Sequence, residues 1–359
     1  SADAKAYEAN YDLGVVSDRE GKPDEALQHY AAALRIQPDY ELAVQGSVNI
    51  MLRRGTADAA VSYVQPIANQ WERNLYLQAI LADVQTRADR VDDAETTARK
   101  ALRRDERFVP AIVALAKASL QRGRTELAAS MLDQAKEIDP NYAEIYFLQG
   151  KAFQANGQVA QALEAYRKAV DLRPDYAEAR VALGIQSMAS GNYNDALTQF
   201  ETAIKLVPTL VAAHLNLADV YRALKRWTDA KREFDQALRM QPQLPEAHFD
   251  LALLYMTAGA DYPGLQLLDA LDRALLEFNT YRTQLGPKLS SDDASAAYMA
   301  DIQRREDRER KRIEREKAAA AKAAAKAAKA APAGAAPAPT PAPTPAPTPA
   351  PAPAPGKAK

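Results

Sequence analysis

Alanine returns every 34 residues. Ala26, Ala60, Ala94, Ala128, Ala162, Ala196 and Ala230 stand at one fixed interval, with no insertion between them. A period of this length leaves few folds open. Each period must be one supersecondary unit that cannot bury its apolar face alone, so the units stack into a solenoid. With Tyr7, Glu41, Leu75, Val109, Ala143, Ala177 and Val211 as position 1, seven repeats run from 7 to 244 and these alanines occupy position 20. Position 27 is alanine six times: Ala33, Ala101, Ala135, Ala169, Ala203 and Ala237, with Ile67 in repeat 2. Position 8 is mostly small (Gly14, Val48, Ala82, Ala116, Gly150, Gly184, Ala218). Position 24 is often aromatic or leucine (Tyr30, Leu132, Tyr166, Phe200, Phe234). Pro38, Pro140, Pro174, Pro208 and Pro242 share position 32.

The columns have local physical reasons. Apolar residues recur three and four apart within each half-repeat, the spacing of an amphipathic helix. Gly21, Gly55, Gly123, Gly157 and Gly191 fall at position 15, between the halves, where a helix C-terminus calls for a left-handed residue. Proline at position 32 stops the second helix. Small residues at 8, 20 and 27 let helix axes approach to about 8–10 Å. Repeats 2 and 3 depart most: Val48 is large for its column, and Glu72 and Glu106 replace the terminal proline, so looser packing is expected there. An eighth repeat begins at Pro245. It accepts the register if about three residues are inserted near Ala260–Pro263, which brings Ala274 to position 27. The predicted organisation is a solenoid over 1–289, with 245–289 as an irregular capping repeat ended by Gly286-Pro287. A solvent-exposed helix, charged and then Ala/Lys-rich, follows over 290–331. A Pro/Ala/Thr-rich tail without packed structure covers 332–359, where 11 of 28 residues are proline.

The agreement of several columns at one spacing resembles the tetratricopeptide repeat, across about two-thirds of the chain. The resemblance implies an all-α, right-handed solenoid of antiparallel helix pairs. It also implies that first helices line a concave groove through positions 2, 5, 9, 12 and 13. Two features fall on those positions. The first is apolar: Val113, Phe147, Val181, Leu215 and Phe249 at position 5, with Ile185 and Leu253 at position 9 and Met188 and Met256 at position 12. Such a stripe would receive a partner helix or extended peptide, or be covered by the chain's own curvature and C-terminal helix. The second is basic: Arg19, Arg53 and Arg87 at position 13, and Lys117 and Lys151 at position 9. This ladder would grip partner carboxylates, or serve only the helix dipoles. Asn49 and Asn216 are isolated, so the chaperone-binding carboxylate clamp of some family members is not supported.

Little points to catalysis. There is no cysteine and there are only three histidines, so thiolate chemistry is excluded and metal sites are poorly supplied. His214 and His248 both take position 4, read as a helix-packing slot. No phosphate loop or nucleophile motif is present. The expectation is a non-enzyme without cofactor or metal.

The net charge of −1 hides an asymmetry. Residues 302–359 carry 13 Lys/Arg against 5 Asp/Glu (+8), and residues 1–301 carry 33 against 42 (−9). An acidic body argues against nucleic acid as the main partner. The expected partner is one or more proteins. Membrane contact would come only through a lipid anchor or the basic tail. Composition, the proline-rich tail and a first residue that is not Met resemble periplasmic tetratricopeptide lipoproteins that help assemble bacterial pili, secretins or motility machines. Two alternatives stand beside that: a cytoplasmic adaptor or co-chaperone, and a regulatory subunit whose basic tail touches nucleic acid or membrane.

Overall fold

The computed structural model describes residues 6–330; the Pro/Ala/Thr-rich stretch 332–359 lies outside them. The described residues are all-α. Seven helix pairs follow the 34-residue register: α1 (Ala6–Arg19) and α2 (Pro23–Ile36), α3 (Glu41–Arg53) and α4 (Ala57–Gln70), α5 (Leu75–Arg87) and α6 (Val91–Leu102), α7 (Val109–Gln121) and α8 (Thr125–Ile138), α9 (Ala143–Ala155) and α10 (Val159–Leu172), α11 (Ala177–Ala189) and α12 (Tyr193–Leu206), α13 (Val211–Ala223) and α14 (Trp227–Met240). The eighth pair is α15 (Pro245–Ala258) and α16 (Leu267–Leu285), and the last helix is α17 (Ser295–Ala330).

The turn inside each repeat is built alike. The position-16 N–H bonds the position-11 carbonyl, from Lys22→Ser17 at 2.9 Å to Arg226→Tyr221 at 2.8 Å, a six-to-one closure that needs a left-handed residue at position 15. Gly157 supplies it at φ 72°. Repeats 3 and 7 reach the same region without glycine, at Asp89 (φ 59°) and Lys225 (φ 58°). Except in α10, the second helices then open with acidic residues, such as Asp92 and Asp93 in α6 and Asp229 in α14, where the positive end of the helix dipole favours them.

Packing within a repeat is a matter of paired sizes. All seven position-20 alanines are 0% exposed, so the two helices cross there backbone to backbone. One turn away, position 8 yields to position 24. A Cβ on Gly150 would lie 2.5 Å from the Tyr166 ring, and one on Gly184 2.6 Å from Phe200. In repeats 4 and 2 a smaller position 24 goes with a larger position 8, Ala116 with Leu132 and Val48 with Val64, all four fully buried, whereas repeat 7 keeps Ala218 with Phe234 and repeat 3 Ala82 with Ala98. Looser packing is found in repeat 2 but not in repeat 3: α3 and α4 touch less than any other pair within a repeat. Pro66 inside α4 adds to the effect of Val48, since it removes a backbone donor and crowds the preceding turn.

The body does not end at residue 289. It divides from the rest of the chain between Gln303 and Arg304, so the start of α17 belongs to the solenoid. Ile302 is 0% exposed, and Tyr298 stacks on Phe278 of α16 at 5.7 Å between centroids. This segment covers the apolar face that the eighth repeat would otherwise leave open. In the second body, 304–330 is helical and largely exposed, with Arg312 paired to Glu309 at 2.6 Å and Glu316 at 2.7 Å. Among the described residues, no helix is long and apolar enough to cross a membrane.

Candidate partner-binding groove

First helices of successive repeats touch one another directly (α5 with α7, α7 with α9, α11 with α13), whereas second helices of successive repeats make no comparable contact. The first helices therefore line the inner, tighter face. Position 9 runs along it as Asp83, Lys117, Lys151, Ile185, Asp219 and Leu253.

The apolar column divides by depth. Phe147, Ile185, Met188, Leu215 and Leu253 are half-buried on the inner face. Val113 (1% exposed) and Val181 (7%) are core residues and do not offer groove surface. Their side chains are short enough to be closed over by adjacent repeats. Phe249 is covered from within the chain, by edge-on contacts to Phe278 at 5.4 Å and Tyr281 at 5.1 Å, with Tyr298 of α17 at 6.0 Å.

The basic column is not a row of free cations. Arg53 is paired with Asp18 across repeats 1 and 2. Asp83 accepts from Arg87 Nε at 3.1 Å and Lys117 Nζ at 2.5 Å, and Lys117 also reaches Glu144 at 2.7 Å. Burial disfavours the Asp83 charge, but Lys117 and Arg87 outweigh it and hold the carboxyl down at about 2. Burial likewise works against Lys117, and the charges of Asp83 and Glu144 overcome it, raising the ammonium above the usual lysine range. Lys117 is thus a structural cation between two carboxylates. Arg19 is exposed and stands apart from this cluster.

Lys151 differs. Its Nζ sits 5.9 Å from the Phe147 ring, and no carboxylate lies within 4 Å among the described residues. Lys151 is exposed, yet partial desolvation by the surrounding protein, and then the like charges of Arg87 and Lys117, lower its pKa.

Sequence reasoning missed the groove's acidic end. Asp219 at position 9 of α13 and Asp250 at position 6 of α15, on neighbouring first helices, are close enough for their charges to interact. Burial, and then the Asp219 charge, push Asp250 up to about 7, and Arg222 only partly offsets this. Asp219 itself is raised by burial although Arg222 donates to it at 2.8 Å. The available signal was an aspartate at inner position 9 of repeat 7, beside an apolar column.

The two position-4 histidines do not meet. His214 Nδ1 lies 2.8 Å from Glu233 and Nε2 3.1 Å from the Pro208 carbonyl, and His248 Nδ1 lies 2.7 Å from Glu277. Each is tied to the second helix of its own repeat. Among the described residues, no group of three or more potential metal ligands forms.

Comparison with known proteins agrees with this architecture. Tetratricopeptide-repeat profiles match residues 187–243, and a second such profile matches 1–41 and 81–143. A profile described as a TPR repeat matches 150–185. The unmatched interval 42–80 contains the loosely packed repeat 2. No curated protein matches the chain. Among solved structures, the Cut9–Hcn1 hetero-tetramer of the APC/C is similar, with a TM-score of 0.63 and 16% identity over 82% of this chain and 55% of that one. The chain therefore spans little more than half the length of that relative. MamA matches with a TM-score of 0.38 and 23% identity, covering 45% of this chain and 95% of its own. YrrB, a TPR protein with an unusual peptide-binding site, matches at 0.37 and 20%, covering 51% and 95%. With the 34-residue columns, the helix pairs and these profiles in agreement, the chain belongs to the tetratricopeptide-repeat family.

Proposed function

We propose that the chain is a non-catalytic scaffold that holds a segment of a partner protein along the inner face of its first helices. The half-buried stripe Phe147, Ile185, Met188, Leu215 and Leu253 carries this reading. It is apolar surface on a concave face that the protein itself leaves open, the kind of surface that accepts a helix or extended peptide. Replacing Met188 and Leu215 together by Glu tests it, with circular dichroism to verify folding. Partner recovery from the native host should fall at least about tenfold; undiminished recovery would rule out the stripe as the site.

We further infer a place in a bacterial cell-envelope machine, such as a pilus, secretin or motility assembly in the periplasm. The alternating Pro/Ala/Thr run at 332–359 supports this, because such a composition suits a long spacer. Fractionation of the native host decides it. Recovery in the periplasmic or envelope fraction is expected, and recovery in the cytoplasm alone would favour an adaptor role instead.

A further inference from the structure

The inner face carries its charges in an order. At repeats 3–5, Arg87 engages Asp83 through Nε only, neither terminal guanidinium nitrogen bonds among the described residues, and its side chain is 50% exposed. Lys151 stands nearby without a carboxylate partner, over the Phe147 ring. The neighbouring carboxylates are already engaged: Asp83 and Glu144 both hold Lys117. Glu178 lies within electrostatic reach of Arg87 but forms no ion pair with it. Repeats 6 and 7 then present Ile185, Met188 and Leu215, with no charge at those positions. At repeats 7–8 the sign reverses. Asp219 has Arg222 as its one partner, and Asp250, flanked by Asp219 and Glu246, makes no hydrogen bond or ion pair among the described residues.

Building on the scaffold reading, we propose that the groove of repeats 3–8 selects a charge-polarised polypeptide segment. An acidic side chain docks on Arg87 and Lys151, apolar residues lie on Ile185, Met188 and Leu215, and a Lys or Arg docks on Asp219 and Asp250. Each end lacks what the opposite end of such a segment supplies, and the floor between them offers only apolar contact. A segment bound in reverse would place like charges together at both ends, so the groove dictates direction as well as composition. From Lys151 to Asp250 is three repeats. At about 10 Å between neighbouring helix axes, this is about 30 Å, or about nine residues of extended chain.

A random 20-residue peptide library, selected on the immobilised whole chain, tests this without a known partner. Leu215→Glu serves as a groove-blocked control. Selected peptides should separate acidic and basic residues to opposite ends of an apolar stretch and should fail to bind the control. For a synthetic peptide from the selection, Arg87→Gln with Lys151→Gln should weaken binding about tenfold, and the loss should vanish when the peptide's acidic end is made neutral. Asp219→Asn with Asp250→Asn should do the same for the basic end. Peptides that need Leu215 but show no charge separation, or that ignore both double variants, would overturn the polarity and leave the scaffold standing. Peptides indifferent to Leu215→Glu, or no selection at all, would overturn the groove itself.

Discussion

The pairing of position 8 with position 24 makes a quantitative demand on Gly150 and Tyr166. Tyr166 is 0% exposed, and its hydroxyl donates to Gln154 at 2.8 Å, so the ring has little room to swing. A Cβ at Gly150 would stand 2.5 Å from Cε1 and 2.6 Å from Cδ1, about 1 Å inside ordinary carbon contact. Overpacking of this kind costs about 1–3 kcal/mol, against about 1 kcal/mol gained by replacing a mid-helix glycine with alanine. With the Tyr166 ring held in place, the upper part of that cost applies, about 2–3 kcal/mol, and Gly150→Ala should destabilise by about 1–2 kcal/mol net. Tyr166→Leu alone leaves a void beside the glycine and should cost about 2–3 kcal/mol. The double variant recreates the Ala116–Leu132 pair that repeat 4 packs with both side chains fully buried. The clash is then gone and the void partly filled, so the double variant should be about 1 kcal/mol more stable than Tyr166→Leu. That is a coupling of about 2–3 kcal/mol between the two sites. Urea unfolding of the four proteins by far-UV circular dichroism measures it, with midpoints compared at a common slope. Effects that add to within about 0.5 kcal/mol, or a Gly150→Ala variant as stable as the parent, would refute size pairing as what sets helix spacing in this repeat.

Other consequences follow from single sites. Lys225→Gly relieves a left-handed residue with a side chain and should stabilise by about 0.5–1 kcal/mol, seen as a higher melting temperature; an unchanged or lower value would show that φ 58° carries no strain there. Lys117→Ala takes the cation from Glu144 and leaves Asp83 only Arg87, and should cost about 3–5 kcal/mol in urea unfolding, whereas Arg87→Ala, removing a half-exposed partner, should cost under about 1 kcal/mol. Equal losses would contradict the structural role given to Lys117. Asp250 is pushed up from 3.8 to about 7, so the folded protein binds the extra proton, and its stability falls as pH rises through that window. Three pKa units amount to about 4 kcal/mol, reduced to about 2 kcal/mol because the carboxyl reaches groove water. Asp250→Asn should thus be about 2 kcal/mol more stable than the parent at pH 8 and nearly equal to it at pH 4, and a constant difference across that range would exclude the linkage.

The repeat architecture was legible because helix crossing depends on residues that must be small at fixed intervals, and alanine at 20 and 27 announces itself. Helix starts followed from the same register. The capping role of α17 was harder to see. Tyr298 and Ile302 are an apolar pair four apart at the edge of a charged stretch, and composition averaged over that stretch hides them. In the groove, the column showed which residues face inward but not how deep they sit. Val181 and Leu215 share position 5, and only the size of the side chain against its neighbours' curvature buries one and leaves the other half open. The ion pairs were partly readable: Asp83 and Lys117 are 34 residues apart in one column, so opposite charges one period apart on the inner helix predict a bond between repeats. Asp250 sits in a column that is otherwise uninformative, and its perturbation depends on burial that no spacing reveals.

The slack between α3 and α4 has a mechanical meaning. A linear array transmits order only through nearest neighbours, so its cooperativity is set by its weakest junction rather than by its average one. With Pro66 and Val48 at that junction, heat or tension applied along the chain concentrates its effect in repeat 2. The helices before it, α1–α3, can then loosen together while repeats 3–8, which carry the charged and apolar groove, keep their register.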